Sequence, residues 1–331
     1  FLSGATGSYM TDITVCGSAS RFSENTGCGV NLRNTVDAYP GASSLFNQNV
    51  NVLGVEVHDN GSAGISVLGA RGGKVLFNSV RRNGWATTLG GIWTGRNVGL
   101  FVAWNDVHDN TTTGIDGAGI FDDQYNVDCV IRGNHISGHR GHSSQPYYSG
   151  YGIASYSADG SRIHGNVIER NRHGIWVSNP TATPLTDDVQ ITNNTLLNNT
   201  VSGINYDYDL GNDKVNARQN VVVGSLHGIY KPSGSNTMVE SYNYCWGNGT
   251  DFSGVTAGTG SSTVDRSEYL HGDGSLIVPA DATLDSVAGA NPLAAAGQYI
   301  GGVHLKNGRL RPGFCPIGAF AAVLPGAART A

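Results

Sequence analysis

The sequence has few charged residues and no long apolar run, and each of these shortages excludes a class of protein. Charged side chains make up 14% of the 331 residues, and the formal net charge is -5 at pH 7. Because no run of Lys and Arg stands out from this acidic background, the chain is not expected to bind nucleic acid. No apolar stretch approaches about 18 residues, so no membrane-spanning segment is expected.

Closely spaced cysteine pairs are also missing. The chain has five cysteines and no CxxC motif, so a cysteine-based zinc site is not expected. Cys16 and Cys28 lie in Gly/Ser-rich sequence and could form a disulfide. Cys129 occupies an inward position of a short alternating segment and is expected to be a buried, inert thiol.

Runs of Ala, Leu, Glu and Lys are scarce, while 48 residues are glycine and short alternating apolar segments are frequent. These segments read as strands separated by turns. The dipeptide Gly-Ile occurs in a set of seven copies that are spaced 22 to 33 residues apart. It stands at Gly64-Ile65, Gly91-Ile92, Gly119-Ile120, Gly152-Ile153, Gly174-Ile175, Gly203-Ile204 and Gly228-Ile229. A period in this range is typical of stacked repeats.

An asparagine preceding an apolar alternation forms a second regular feature. It stands at Asn78, Asn105, Asn134, Asn166, Asn194 and Asn220. Short strands with polar turns, and no leucine template, predict an all-β fold of the right-handed parallel β-helix type. In such a solenoid the asparagine amides are expected to stack as a ladder and to satisfy turn backbone groups.

We predict a single β-helix domain over residues 1–331. Residues 1–50 read as irregular N-terminal coils, 51–250 as regular coils, and 251–331 as irregular C-terminal coils and a tail. The chain begins at Phe1 in strand-and-turn sequence, and we expect a leader or first coils to precede it in the natural protein.

The tail carries a family resemblance. Asn291-Pro292-Leu293 and the segment from Arg309 to Phe320 (RLRPGFCPIGAF) resemble the last coils of secreted right-handed β-helix proteins of the pectate-lyase-like superfamily. Asn291 stands where Asp is usual, Phe314-Cys315 replaces the usual Ser, and Phe320 replaces the last Gly. The resemblance implies a β-helix that is extracellular or periplasmic. It does not imply one reaction, because the superfamily includes polysaccharide lyases, glycoside hydrolases, epimerases and phage tailspikes.

The Gly-Ile register assigns side chains to faces. If each Ile points inward, the residue after it points outward. The Gly before each Ile is also expected to point outward, so that these glycines form a strip without side chains. The outward positions include several aromatic residues, which suit packing against sugar rings. The predicted substrate-binding residues are Trp93, Phe121, Tyr156, Trp176, Asp207, Tyr230 and Lys231.

Titratable residues cluster near the middle of the chain. Asp122 and Asp123 are adjacent, and the longest coil carries His139, Arg140, His142 and Tyr148; Arg172 follows on the next coil. In a lyase, His139, His142 or Tyr148 would be the base, and Arg140 or Arg172 would hold the substrate carboxylate.

Asp122 and Asp123 have two alternative roles. They could hold Ca²⁺ in a lyase, or act as acid and base or nucleophile in a glycoside hydrolase. No other cofactor is expected.

We expect a secreted, monomeric or weakly oligomeric enzyme that cleaves a polysaccharide, with β-elimination on an acidic glycan favoured. The alternatives are a glycoside hydrolase and a non-catalytic glycan-binding or tailspike-like protein.

Overall fold

The structure is a computed structural model that describes residues 2–3, 14–16, 21–33, 46–87, 89–111, 117–141, 149–179, 188–209, 214–232 and 237–265. Three parallel sheets of ten, nine and nine strands dominate it, and each coil of the chain adds one strand to each sheet in turn. The chain is therefore a right-handed parallel β-helix, as the repeat predicted. The described residues contain no helix long and apolar enough to cross a membrane.

Sheet 1 contains β1 (Leu2–Ser3), β4 (Val30–Arg33), β8 (Ile65–Leu68), β12 (Ile92–Gly95), β15 (Ala118–Asp122), β18 (Tyr151–Tyr156), β21 (His173–Asn179), β24 (Ser202–Asp209), β27 (His227–Tyr230) and β30 (Thr250–Ser253). Sheet 2 contains β2 (Thr14–Cys16), β6 (Asn51–Leu53), β10 (Lys74–Leu76), β13 (Phe101–Ala103), β16 (Val130–Arg132), β19 (Arg162–His164), β22 (Asp188–Thr192), β25 (Lys214–Arg218) and β28 (Thr237–Ser241). Sheet 3 contains β3 (Arg21–Ser23), β7 (Glu56–His58), β11 (Ser79–Arg81), β14 (Asp106–His108), β17 (His135–Ser137), β20 (Val167–Glu169), β23 (Thr195–Leu197), β26 (Val221–Val223) and β29 (Tyr244–Trp246). β5 (Asn47–Gln48) pairs with β9 (Ala70–Arg71).

The core runs along the axis of the coil stack. The seven isoleucines of the Gly-Ile dipeptides all point inward and are at most 1% exposed. Inward Val and Ile residues from sheets 2 and 3 meet them in one continuous cluster. Because no single coil could bury this surface alone, the stack is the unit of stability.

The predicted asparagine ladder is confirmed at the corner between sheets 2 and 3. Each Asn donates its Nδ2 to the Oδ1 of the Asn one coil further on, at 2.9–3.0 Å. The same Oδ1 accepts a backbone N–H from the preceding coil. The ladder links all six predicted asparagines and continues to Asn243.

A second ladder, which the sequence did not reveal, lies at the corner between sheets 3 and 1. This ladder consists of two groups of stacked amides. Asn60, Asn83 and Asn110 form the first group, and Asn171 and Asn199 form the second. His139 occupies the coil between these two groups, in the position of an asparagine.

The cysteine predictions have different outcomes. Cys129 is buried, as expected. Cys28 is a free thiol, so the disulfide between Cys16 and Cys28 is wrong. Cys16 ends strand β2 of sheet 2, whereas Cys28 leads into strand β4 of sheet 1, so the two residues belong to different sheets.

Candidate functional site

The outer face of sheet 1 carries the predicted aromatic column. The register aligns Trp93 with Phe121, then Ala154, Trp176, Asn205 and Tyr230 on successive strands. Trp93, Trp176 and the neighbouring Asp123 therefore share one wall, as the sequence analysis required.

The smooth glycine strip predicted on this wall is wrong. A Cβ at Gly119 would lie 2.6 Å from Ile136 Cγ2 and 2.6 Å from His139 Nε2. Ile136 belongs to the core, so Gly119 faces inward like the Ile that follows it. Five of the other six Gly-Ile glycines approach core or ladder atoms in the same way, and a Cβ at Gly228 would meet the Asp251 backbone and Asn248 Nδ2. Glycine is required here because any side chain near the start of the sheet 1 strand would meet these inner atoms.

The outward aromatic residues are less exposed than predicted. Phe121 and Trp176 are each 7% exposed, and they belong to a second apolar cluster that is separate from the main core. Trp176 stacks on Tyr151 with ring centroids 4.6 Å apart and on Tyr156 at 5.9 Å. Phe121 and Trp176 thus stiffen this face rather than present a bare platform, while Trp93, Tyr156 and Tyr230 keep partial exposure.

A small open pocket of about 80 Å³ lies at one end of this wall. It is lined by Arg33, Leu68, Trp93, Gly95, Arg96, Asp123 and Gln124. Leu68, Gly95 and Asp123 follow one another across neighbouring strands. The pocket exists because Gly95 brings no side chain to the place between Leu68 and Asp123.

Asp123 is held in a fixed orientation at the pocket wall. Trp93 Nε1 donates to Asp123 Oδ2 at 2.9 Å, and the Gln124 backbone N–H donates to Oδ1 at 2.7 Å. Burial raises the pKa of Asp123, and the bonds from Gln124 and Trp93 and the charge of Arg96 limit that rise. Such a carboxylate, bonded to an indole and close to the charge of Arg96, can exchange a proton with a bound molecule.

Asp122 is not part of this pocket. It pairs in register with Thr94 and Ser155 on the inward face and has no exposed surface. Asn126 Nδ2 donates to its Oδ1 at 2.6 Å, and Ser155 Oγ donates to its Oδ2 at 3.2 Å. Burial raises the pKa of Asp122 to about 6.

The predicted cooperation of Asp122 with Asp123 is therefore wrong, because successive residues face opposite sides of the sheet. The two carboxylates do not converge on one ion, so this pair does not fit Ca²⁺. In the part of the chain that the structure describes, no group of three or more His, Cys, Asp and Glu side chains could hold a metal.

His139 also lies inside the coil rather than over the wall. It is 1% exposed, its backbone N–H donates to Asn171 Oδ1 at 3.0 Å, and its ring nitrogens lie 3.2 and 3.3 Å from the carbonyl oxygens of Asn110 and Val107. Burial lowers the pKa of His139 to about 4. Its predicted position as a base above the substrate is wrong, because the ring takes an asparagine's place in the second ladder.

The remaining residues of the predicted rim are only partly described. Arg140 is exposed and Arg172 is half-buried. His142 and Tyr148 lie outside the described residues. Next to Arg172, His173 is 4% exposed, its Nδ1 lies 2.8 Å from Ser202 Oγ, and burial lowers its pKa to about 3.

A second tryptophan–aspartate pair lies three strands further along the wall. Trp176 Nε1 donates to Asp207 Oδ2 at 3.3 Å, in the same relation as Trp93 to Asp123. Burial raises the pKa of Asp207, and the bond from Trp176 opposes this rise. Tyr230 stacks on His227 with centroids 4.6 Å apart, and Lys231 follows at the end of that strand.

Sequence reasoning missed Arg33 and Arg96. Arg33 pairs in register with Leu68, and Leu68 pairs with Gly95 on the next strand. Arg96 directly follows Gly95. Extending the outward column to the first coils would have revealed Arg33, but the Gly-Ile repeat does not reach that far.

The three stacked parallel sheets and the asparagine ladders define this molecule as a right-handed parallel β-helix protein. This is the fold that the tail resemblance implied. A family model described as "Right handed beta helix region" matches residues 105–243. No curated protein matches the chain.

Among solved structures, the pectate lyase Pel9A has a TM-score of 0.42 and 14% identity, over 94% of this chain and 80% of that one. The catalytic unit of a thermostable GH87 α-1,3-glucanase from Streptomyces thermodiastaticus strain HF3-3 has a TM-score of 0.37 and 15% identity. That match covers 70% of this chain and 53% of the glucanase, so the chain spans about half the length of that enzyme unit.

Proposed function

We propose that the protein is a secreted enzyme that cleaves an acidic polysaccharide by β-elimination at the pocket around Asp123. The observation that carries the proposal is the composition of the pocket. A half-buried, oriented carboxylate lies among two arginines and the edge of an indole, on a wall with further partly exposed rings.

Each part of the pocket suits one part of the reaction. Arg33 and Arg96 would pair with the uronate carboxylate and neutralise the charge that develops on it. Asp123 would remove the proton α to that carboxylate, because burial raises its basicity above that of a solvated Asp. The C–O bond β to the carboxylate then breaks, a C=C bond forms, and the departing oxygen takes up a proton.

The pocket favours elimination over hydrolysis. A glycoside hydrolase uses two carboxylates about 5 to 9.5 Å apart. Among the residues that line the pocket, Asp123 is the one carboxylate, and Asp122 faces the interior. Asp207 lies three strands away, which corresponds to about 14 Å at the strand spacing.

The test is cleavage of a panel of acidic and neutral polysaccharides, followed by absorbance at about 235 nm, where unsaturated uronate ends absorb. We expect absorbance to rise with an acidic glycan. Asp123→Asn should lower the rate at least about 100-fold, since a general base contributes on the order of 100-fold or more. Arg96→Gln should mainly raise KM for the acidic substrate.

Asp109→Asn is the matched control, because Asp109 is exposed beside sheet 3 and its loss should leave the rate unchanged. Release of reducing ends without the absorbance would show hydrolysis instead. Full activity in Asp123→Asn would exclude Asp123 as the base.

A further inference from the structure

The outer face of sheet 2 is basic, in contrast to the acidic chain as a whole. In each sheet 2 strand, the outward residues lie on either side of an inward residue such as Val75, Val102 or Ile131. They carry five cations and one carboxylate among the described residues: Lys74, Arg132, Arg162, Lys214 and Arg218, with Asp188. Among the described residues, Asp128 and Asp159 also lie at the corner that leads from sheet 1 into sheet 2.

Several of these cations are not neutralised by a neighbour. Within the described residues, Lys74, Arg162 and Arg218 form no ion pair. Sheet 3 behaves differently, since Glu56 bridges two arginines and His135 lies between two carboxylates. Uncompensated like charges on one face favour an anionic partner.

An aromatic group borders this face. Phe77 and Trp104 are stacked, with ring centroids 5.0 Å apart and planes within 16°. The Arg132 guanidinium lies 5.1 Å from the Trp104 ring and 5.2 Å from the Phe101 ring. Phe77 is 57% exposed. Flat rings joined to a guanidinium can pack on the C–H face of a sugar while the cation pairs with its acid group.

These rings occupy a backbone position that disfavours them. The residue after each sheet 2 strand from β6 to β28 has positive φ. Glycine or asparagine fills it at Gly54, Gly133, Gly165 and Asn193, and Gln219 and Tyr242 fill it after the last two strands. Phe77 and Trp104 adopt φ of 59° and 55° there. Because a bulky residue in the left-handed region is strained, the stacked rings are held at this position at a conformational cost. Gly133 also leaves the space that the Trp104 indole fills, since a Cβ there would lie 2.7 Å from Trp104 Cδ1.

We propose that the outer face of sheet 2 is a second, non-catalytic binding surface for an acidic polysaccharide. Phe77 and Trp104 would take a sugar ring, and Arg132, Arg162 and Lys74 would pair with carboxylate or sulfate groups along the chain. The inference rests on the proposed function only in the choice of polymer, because cleavage is assigned to sheet 1.

The observations favour a polysaccharide over a nucleic acid as the occupant. The chain carries a net charge of -5, and a nucleic-acid-binding protein is usually strongly basic. The cations here are also few and widely spaced, which suits a polymer with one acid group per sugar. Single-stranded DNA serves as the competing ligand in the test, because aromatic and basic surfaces also bind it.

The experiment is native affinity electrophoresis of the full chain in gels that contain polygalacturonate, alginate, dextran or single-stranded DNA. We expect retardation by one of the acidic polysaccharides and none by dextran. Phe77→Gly combined with Trp104→Gly should weaken binding about tenfold, the scale of losing a central aromatic contact. Arg162→Gln should weaken it several-fold at low salt and make little difference at high salt, where charges are screened.

Two controls match these variants. Trp85→Ala removes a tryptophan of similar exposure on another part of the surface, and Arg170→Gln removes an equal charge beside sheet 3; neither should change the retardation. Asp123→Asn should lose cleavage and keep retardation, so the two proposals can fail separately.

Unchanged retardation in the sheet 2 variants would overturn the inference. So would absence of retardation by any acidic glycan, equal retardation by dextran, or stronger retardation by DNA. Correct folding is verified by thermal unfolding. Phe77→Gly is expected to unfold no earlier than the parent protein, because glycine suits the local φ.

Discussion

Asp122 and Asp123 are neighbours in the chain, yet they experience opposite environments. Asp122 has no exposed surface and receives hydrogen bonds from Asn126 and Ser155 inside the coil. Asp123 lies at the outer wall, bonded to Trp93. The pKa of each carboxyl is raised by burial, but only Asp123 can be reached by a substrate. Burial, and not residue type, separates a structural carboxyl from a candidate base.

The raised pKa of Asp122 predicts a pH dependence of stability. Its folded pKa of about 6 lies above the ordinary value of 3.8, so the folded state binds the proton more tightly. The free energy of unfolding should therefore fall as pH rises from about 4 to 6, by about 3 kcal/mol. In urea unfolding, Asp122→Asn should not lose stability over this pH range. The variant should be more stable than the parent protein at pH 7.5 and equally stable at pH 3.5.

Asp188→Asn, on the exposed face of sheet 2, is the control and should leave the pH profile as it is. If Asp122→Asn destabilises the protein at pH 7.5, the ionised carboxylate is a required partner of Asn126 and the argument from burial fails.

At the scale of elements, two amide ladders hold the corners of the coil. The first is continuous from Asn78 to Asn243. The second is interrupted by His139, whose ring nitrogens replace an amide near the carbonyls of Val107 and Asn110. Neighbouring coils show that an asparagine fits beside the inward glycine, since Asn171 occupies the same place next to Gly152.

His139→Asn should therefore restore the ladder. We expect its free energy of unfolding to lie within about 1 kcal/mol of the parent, because lost ring packing is offset by amide hydrogen bonds. His139→Ala should cost about 3 kcal/mol, since it leaves a cavity and orphaned backbone groups. Both are measured by urea unfolding, with the cleavage rate recorded in parallel. If His139→Asn is stable but its cleavage rate is much lower than that of the parent protein, His139 takes part in the reaction.

At the scale of the whole molecule, the β-helix gives each sheet an independent outer face. Sheet 1 carries the pocket with Asp123, sheet 2 carries most of the outward cations and the stacked rings, and sheet 3 carries a paired set of charges. Because coils contact only their neighbours, side chains on different faces can change without disturbing one another. One long polymer could thus be anchored on one face and cleaved on another.

This separation predicts additive effects. Arg96→Gln on sheet 1 and Phe77→Gly on sheet 2 should each lower kcat/KM for the polymer. In the double variant their logarithmic effects should add, as for distant sites without shared partners. On a short acidic oligosaccharide that cannot span both faces, Phe77→Gly should have no effect. A lowered oligosaccharide rate in Phe77→Gly would place Phe77 at the cleavage site.

The sequence by itself determined the solenoid, its repeat, the inward isoleucines and the first asparagine ladder. Each of these is a local pattern that recurs in every coil, so the chain displays it many times. It also placed Trp93, Trp176 and Asp123 on one wall, because strand alternation holds from the isoleucine onward.

Only the tertiary structure decided the inward glycines, the burial of Asp122 and His139, and the pocket with Arg33 and Arg96. Alternation fails at Gly119, the second residue of strand β15, which faces inward like Ile120. His139 takes a ladder position that only the stacking of coils defines. Arg33 and Arg96 line the same pocket as Asp123, although the three residues are far apart in sequence. Contacts between coils depend on the conformation of each turn, and the repeating sequence pattern does not reveal that conformation.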